Sequence, residues 1–138
     1  MAKRITIERP NPYGFAHLPV AIIIGPQGAE QARTVSALLD TGADNTVIRA
    51  SILTGVGIPT TGRTLNFTGA GATGMVGTAM VRLGFSGINE SGELATLVNS
   101  KEIAVAATLT EEMIVGLDVL GCFDVSFFRS GRVTLEWG

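Results

Sequence analysis

Residues 37–48 read Ala-Leu-Leu-Asp-Thr-Gly-Ala-Asp-Asn-Thr-Val-Ile. An apolar strand carries Asp40 directly into a Thr-Gly turn, which leaves a carboxylate between apolar flanks. Gly42 permits either a close approach of the backbone or a positive φ angle. The short hydroxyl of Thr41 can hold the loop in one shape. The stretch therefore predicts a carboxylate presented for chemistry at the end of a buried strand.

The composition of the 138-residue chain indicates one globular domain covering residues 1–138. With 46% hydrophobic residues and a net charge of −2, disorder is not expected, and the length excludes a two-lobed enzyme. The sequence pI is about 5.3 and the basic residues are scattered, so the electrostatic footprint of a nucleic-acid-binding protein is missing. We expect no nucleic-acid partner.

The best apolar run, residues 18–25, bears on membrane insertion and export. It contains Pro19 and is far shorter than the ~20 residues of a spanning helix, so no membrane association is expected. Glu8 and the two prolines at 10 and 12 make the preceding residues a poor leader peptide. We expect a cytoplasmic protein, and the single cysteine, Cys122, agrees with a reducing compartment.

Period-two alternation and frequent glycine-containing turns predict an all-β domain, either a sandwich or a barrel. Single strands are predicted at residues 18–24, 31–39, 46–48, 64–68 and 78–85. Hairpins are predicted from 93–98 with 103–109 and from 126–128 with 132–137. A turn is predicted at 25–28, one helical turn at 50–53 and the main helix at 119–123.

Residues 37–48 strongly resemble the active-site segment of the retroviral-type aspartic proteases, the retropepsins, and of their cellular relatives. Residues 113–120, Met-Ile-Val-Gly-Leu-Asp-Val-Leu, resemble the segment that opens the family's short C-terminal helix. Residues 67–74, Phe-Thr-Gly-Ala-Gly-Ala-Thr-Gly, resemble the flap, a glycine-tipped hairpin that closes over bound peptide. The resemblance implies an all-β, retropepsin-like closed barrel with one short C-terminal helix.

The resemblance also implies an aspartic-type endopeptidase, a hydrolase of peptide or protein substrates that uses no cofactor. Because the chain has a single Asp-Thr-Gly, it implies a homodimer in which each subunit contributes one Asp40. The implied catalytic residues are Asp40, Thr41 and Gly42. The implied substrate-binding residues are Ala43, Asp44, Asn45, Gly69, Ala70, Gly71 and Ile114. Chain ends of the family enter an inter-subunit sheet, which makes residues 133–137 the interface candidate.

One position departs from the family pattern. Retroviral members usually carry an arginine after the glycine of the second motif, where it pairs with the aspartate two residues past the catalytic glycine. Here Leu117 stands at that position, so Asp44 lacks the expected partner. The candidates to replace the missing arginine are Arg4, Arg129 and Arg132.

Two other functions fit parts of the sequence. The missing partner of Asp44 is compatible with a catalytically weak or inactive module that keeps the fold, binds peptides and dimerises. Residues 69–74 also match the Gly-x-Gly-x-x-Gly pattern of nucleotide-binding proteins, but a dinucleotide site needs a helix after the glycines, whereas residues 79–85 alternate like a strand. With His17 as the only histidine and one cysteine, no zinc site is expected.

Overall fold

A computed structural model describes residues 3–8, 17–24, 31–69 and 72–138, so the predicted turn at 25–28 lies outside the described residues. These ranges form ten strands and two short helices. The strands are β1 (Lys3–Ile7), β2 (His17–Ile24), β3 (Gln31–Leu39), β4 (Val47–Arg49), β5 (Thr64–Gly69), β6 (Ala72–Asn89), β7 (Leu94–Ala106), β8 (Met113–Val115), β9 (Asp124–Phe127) and β10 (Val133–Trp137). The helices are α1 (Ala50–Val56) and α2 (Leu117–Leu120). No helix in these ranges has both the length and the apolar character needed to cross a membrane.

Six of the strands form a closed barrel. Hydrogen bonds join β2, β3, β8, β4, β7 and β6 in that order, and β6 pairs again with β2 to close the ring. β3 and β8 run parallel, with Leu38 beside Ile114, whereas β8 and β4 are antiparallel. Alternate residues of these strands point inward, and Ile22, Val35 and Phe85 are among the buried side chains that fill the barrel. The predicted all-β closed barrel is confirmed.

A hairpin stands where the flap is predicted. β5 pairs antiparallel with residues 72–77, the first part of β6, and this ladder is separate from the barrel sheet. From Thr78 onward β6 pairs with β7 instead, starting opposite Ala104, so one long strand belongs to both the hairpin and the barrel. The tip of the hairpin, residues 70–71, lies outside the described residues.

The two ends of the chain meet in a sheet extension beside the barrel. β10 pairs antiparallel with β1 on one side and with β9 on the other, and β1 also pairs with β6. The sequence pattern does not predict β1. Both edges of β10 are already hydrogen-bonded within the chain, so residues 133–137 offer no free edge to a second subunit. A second subunit could therefore not add a strand to β10, and the outer strand of the extension is β9; an interface role for residues 133–137 stays a prediction.

The predicted hairpin between residues 93–98 and 103–109 is wrong. Most of both segments belongs to the single strand β7, which pairs with β6 continuously from Ala104 to Leu94. The turn that precedes β7 contains Gly92, whose φ is 80°. Eleven of the thirteen residues of β7 pair with the long strand β6, and this partner, which the local pattern of β7 does not reveal, keeps the strand extended.

The prediction of one short C-terminal helix is incomplete for the described residues. α2 is present, but it begins at Leu117 rather than at residue 119. α1 is a second helix, longer than the single turn predicted at 50–53, and it buries Ile52 and Leu53 against the barrel core. It ends at Gly57, which has a φ of 76°, a conformation that glycine adopts without strain. The free energy gained by burying Ile52 and Leu53 therefore exceeds the cost of having a glycine at position 55 within the helix.

Candidate active site

Asp40 lies at the end of β3, where the chain leaves the barrel. Its backbone N–H donates to the Val115 carbonyl of β8 at 2.9 Å, which continues the pairing of the two strands. Its carboxylate Oδ1 accepts a hydrogen bond from the Gly42 N–H at 2.9 Å. A Cβ at position 42 would lie 3.2 Å from this oxygen, and the φ of Gly42 is not positive. A positive φ is therefore not the reason for this glycine, and a side chain here would press on the carboxylate that the Gly42 N–H binds.

Thr46 ties the loop that follows Asp40 to the start of α2. This side chain is completely buried. Its Oγ1 donates to Asp118 Oδ1 at 2.6 Å and accepts from the Gly116 N–H at 3.0 Å. The Thr46 N–H lies 3.0 Å from both carboxylate oxygens of Asp118. Asp118 therefore acts as a positioning residue for the loop, and sequence analysis did not assign either residue to the site.

Backbone contacts hold the same two segments together. The Leu117 N–H donates to the Ala43 carbonyl at 2.8 Å, and the Asp118 N–H donates to the Asp44 carbonyl at 3.1 Å. A Cβ at Gly116 would lie 2.7 Å from the Ala43 carbonyl oxygen. Glycine is thus required at position 116 because two backbones approach each other too closely for any side chain. The only signal of this contact in the sequence is the family-like segment 113–120.

A cavity of about 320 Å³ lies beside Asp40, between the loop and β5. It brings together seven of the predicted site residues: Asp40, Gly42, Ala43, Asp44, Asn45, Gly69 and Ile114. Four residues that were not predicted also line it: Val47, Asn66, Phe67 and Thr68. Thr41 is exposed and does not line the cavity, and Ala70 and Gly71 lie outside the described residues.

Apolar side chains close the inner wall of the cavity. Phe67 is only 5% exposed and shares a hydrophobic cluster with Val47 and Ile114. A Cβ at Gly69 would lie 3.1 Å from the Phe67 Cζ, so the absence of a side chain there makes room for the ring. β5 is therefore packed onto the strands that carry the Asp40 loop, and a continuous apolar contact connects the hairpin to the barrel.

A polar network holds the base of the hairpin, where β6 enters the barrel. Thr78 Oγ1 donates to Glu102 Oε2 at 2.7 Å and lies 2.7 Å from Thr61 Oγ1. The Arg63 guanidinium binds the same carboxylate through Nε at 3.1 Å and Nη2 at 2.7 Å. Hydrogen bonds from Arg63 and then from Thr78 lower the pKa of Glu102 from its usual 4.5 to about 2.

The region that holds these features also matches a known family. A sequence profile described as aspartyl protease matches residues 22–119, more than two thirds of the chain. The chain belongs to the aspartyl protease family. The matched region includes the Asp40 loop, the β5–β6 hairpin and the start of α2. No curated protein sequence matches the chain.

Solved structures show which aspartyl protease fold is present. The chain is similar to a retropepsin-like aspartic protease from Rickettsia conorii, with a TM-score of 0.59 at 12% identity; the alignment covers 99% of this chain and 93% of that chain. It also matches the retroviral protease-like domain of Ddi1 from Leishmania major, with a TM-score of 0.47 at 15% identity, over 84% of this chain and 82% of that chain. The chain therefore has a retropepsin-like fold.

In this aspartyl protease family member, Asp44 forms no ion pair with any residue in the described part of the chain. Leu117, which is 43% exposed, adjoins the loop through its backbone and brings no charge. Among the predicted substitutes for the missing arginine, Arg132 instead lies over the Phe128 ring, with its Cζ 4.4 Å from the ring centroid. The expected replacement partner of Asp44 is therefore not found among these residues.

The remaining chemistry-bearing residues lie away from the cavity. His17 Nε2 lies 2.9 Å from Glu111 Oε2, and neither residue lines the cavity. In the ranges that the structure describes, no three side chains of His, Cys, Asp or Glu are grouped as a metal site. The glycine-rich segment 69–74 overlaps the start of β6, which begins at Ala72 and continues as a strand to Asn89, so a dinucleotide would find no helix N-terminus for its phosphates there.

Proposed function

We propose that the protein is an aspartic endopeptidase that works as a homodimer, with one Asp40 from each subunit. The observation that carries the proposal is the position of Asp40, which lines a cavity under a hairpin in a retropepsin-like fold. Its Oδ1 is oriented by the Gly42 N–H, and no other described residue donates to the carboxylate. The carboxylate is thus fixed in direction and still free to act.

The proposed chemistry uses two carboxylates that share one proton. Two such groups at ~3 Å cannot both ionise easily, so one is protonated while the other is charged. The charged member takes a proton from a water molecule, and this water attacks the carbonyl carbon of the scissile peptide bond. The protonated member donates a hydrogen bond to the carbonyl oxygen, and a proton finally passes to the leaving amine.

A second copy of the chain is the proposed source of the second carboxylate. The sequence contains one Asp-Thr-Gly, and Asp118 is engaged by Thr46. Leu117 beside the active-site loop is 43% exposed, Phe127 at the end of the outer strand β9 is 48% exposed, and Phe128, the next residue, is 40% exposed. A symmetric partner would cover such apolar side chains. Thr41 is exposed next to Asp40 and would brace the pair.

The proposed substrate is an extended peptide that lies between the hairpin and the Asp40 loop. Backbone groups of Gly42 and of residues 69–71 would bind its main chain in the manner of an added strand. Ala43 leaves room for a substrate side chain, and Asp44, Asn45 and Ile114 line the space beside it. The buried Phe67 limits the depth of that space.

Cleavage of a peptide library between pH 3 and 7 tests the proposal. We compare the wild type with Asp40→Asn, and we use Glu93→Gln as the matched control because Glu93 is exposed in the turn at the far end of β6. Turnover that pepstatin inhibits, and that only Asp40→Asn abolishes, supports the proposal. Unchanged turnover in Asp40→Asn contradicts it.

Sedimentation at several protein concentrations tests the homodimer separately. A strict monomer at the concentrations used for the activity assay would overturn the two-chain mechanism, even if cleavage is observed. A dimer that binds peptides equally well with and without the Asp40 carboxylate, and that never cleaves them, would instead favour the second candidate, an inactive peptide-binding module. The observation that favours this candidate is that no described residue forms an ion pair with Asp44.

A further inference from the structure

Among the described residues that line the cavity beside Asp40, the charged side chains are all acidic. Asp40 and Asp44 both line it, and its described lining contains no Lys, Arg or His. Asp44 is exposed, and no described residue donates a hydrogen bond to its carboxylate. A field of one sign in a concave site attracts groups of the opposite charge and repels like ones.

We propose that Asp44 selects substrates that carry a basic side chain, Lys or Arg, next to the scissile bond. This inference rests on the proposed function and names the substrate class of the same site. The Asp44 carboxylate receives the ammonium or guanidinium group of the substrate. A carboxylate is the natural acceptor for a guanidinium, which presents its N–H donors in a planar fork.

The backbone of Asp44 is fixed before any substrate arrives. Its carbonyl accepts from the Asp118 N–H at 3.1 Å, and the next residue but one, Thr46, is buried and bound to the same Asp118. The loop therefore loses little conformational freedom when a ligand binds, which favours affinity. Only the side chain of Asp44 has to adopt one rotamer on binding.

The other lining residues suit a long side chain with a cationic end. Phe67 and Ile114 are 5% and 7% exposed and form an apolar wall along which a methylene stem can pack. The side chains of Asn66 and Thr68 are exposed on β5 and add oxygen acceptors at the rim. An apolar side chain would leave the Asp44 carboxylate unpaired, and an acidic one would be repelled by it.

The symmetry of the proposed dimer extends this preference. A two-fold axis between the two Asp40 residues repeats the Asp44 cavity on the other side of the scissile bond. We therefore expect a preference for basic side chains at one position on each side of the cleaved bond, at matched distances from it.

Matched peptides test the selection. Each position around a cleaved bond is occupied in turn by arginine, by its neutral isostere citrulline, by norleucine and by glutamate, and kcat/KM is measured. The wild type is expected to prefer arginine over citrulline by about fivefold at one position on each side, the scale of a partly exposed ion pair. In Asp44→Asn this ratio is expected to fall close to one, and in Glu93→Gln it stays at the wild-type value.

Two further measurements distinguish an error in the role of Asp44 from an error in the proposed protease function. In the wild type, the arginine-to-citrulline ratio is expected to fall in about 1 M salt, where the screening length is about 3 Å, and this needs no variant to fold. Calorimetric binding of the same peptides to Asp40→Asn reports selection without turnover. Cleavage with a ratio of one, or a ratio that survives Asp44→Asn, overturns the role of Asp44. A binding preference that Asp44→Asn abolishes, in a wild type that never cleaves peptide, overturns only the protease proposal.

Discussion

Replacing Thr46 with valine keeps the shape of a buried side chain and removes one oxygen atom that makes two hydrogen bonds. The oxygen donates to Asp118 at 2.6 Å and accepts from the Gly116 N–H at 3.0 Å. Loss of a bond to a charged group destabilises by roughly 1.5–3 kcal/mol, and a buried N–H left without an acceptor costs about 1–3 kcal/mol. Because one oxygen makes both bonds, the effects are not additive, and we expect a loss of about 3 kcal/mol in the free energy of unfolding.

Urea denaturation at one fixed protomer concentration measures this loss, since the stability of a dimer depends on concentration. Thr46→Ser keeps the hydroxyl and loses one methyl group, so we expect about 1 kcal/mol. Thr64→Val, at an exposed position of β5, serves as the control and should stay within about 0.5 kcal/mol of the wild type. The reasoning is refuted if Thr46→Val is as stable as the control, or if Thr46→Ser is as damaging as Thr46→Val.

Three further predictions concern the loop, the hairpin base and the cavity wall. Gly116→Ala forces a Cβ to within 2.7 Å of a backbone oxygen and should destabilise by about 2 kcal/mol or more in urea, whereas Gly77→Ala meets no atom within 4 Å; equal effects would contradict the close approach. The pKa of Glu102 is lowered to about 2, mainly by Arg63, so the stability that this carboxylate adds is complete above about pH 4.5 and is lost as the pH falls toward 2. The urea midpoints of wild type and Glu102→Gln should therefore converge between pH 4.5 and 2, and a constant difference would contradict this. Phe67→Ala removes a buried ring and should cost about 3 kcal/mol in urea unfolding, while a loss below about 1 kcal/mol would show that the hairpin does not pack on the barrel in solution.

Local sequence patterns predicted much of the barrel and one side of the site. Buried and less buried residues alternate along β2 and β3. In the sequence, β3 shows this alternation loosely, whereas β2 is recognised as a continuous apolar, β-branched run. The same reasoning failed for β7, which is continuous because it pairs with residues 78–88 of β6 without a break. A period of two shows that a segment is extended, but it does not show how far its partner strand reaches.

The cavity, too, has one part that the local sequence predicts and one part that it does not. Asp40, Ala43 and Asp44 follow one another in the chain, so the stretch that contains them could be recognised by itself. Asn66 reaches the cavity from β5, and nothing in its local sequence relates it to the Asp40 loop. Phe67 belongs to the flap-like segment 67–74, but its burial against Val47 and Ile114 is not visible in that segment. Their place depends on how the hairpin folds back over the barrel.

The amino-acid sequence by itself determined that the chain is all-β, that Asp40 ends a buried strand in a Thr-Gly turn, and that a single such motif occurs in each chain. Only the tertiary structure decided what holds and surrounds that carboxylate. Thr46 and Asp118 are 72 positions apart in the chain, and they meet because β8 lies between β3 and β4. The physical reason is that hydrophobic periodicity is a local property of the chain. The hydrogen-bond partners of Thr46, and the lack of a described ion-pair partner for Asp44, depend instead on which distant segments the closed barrel brings together.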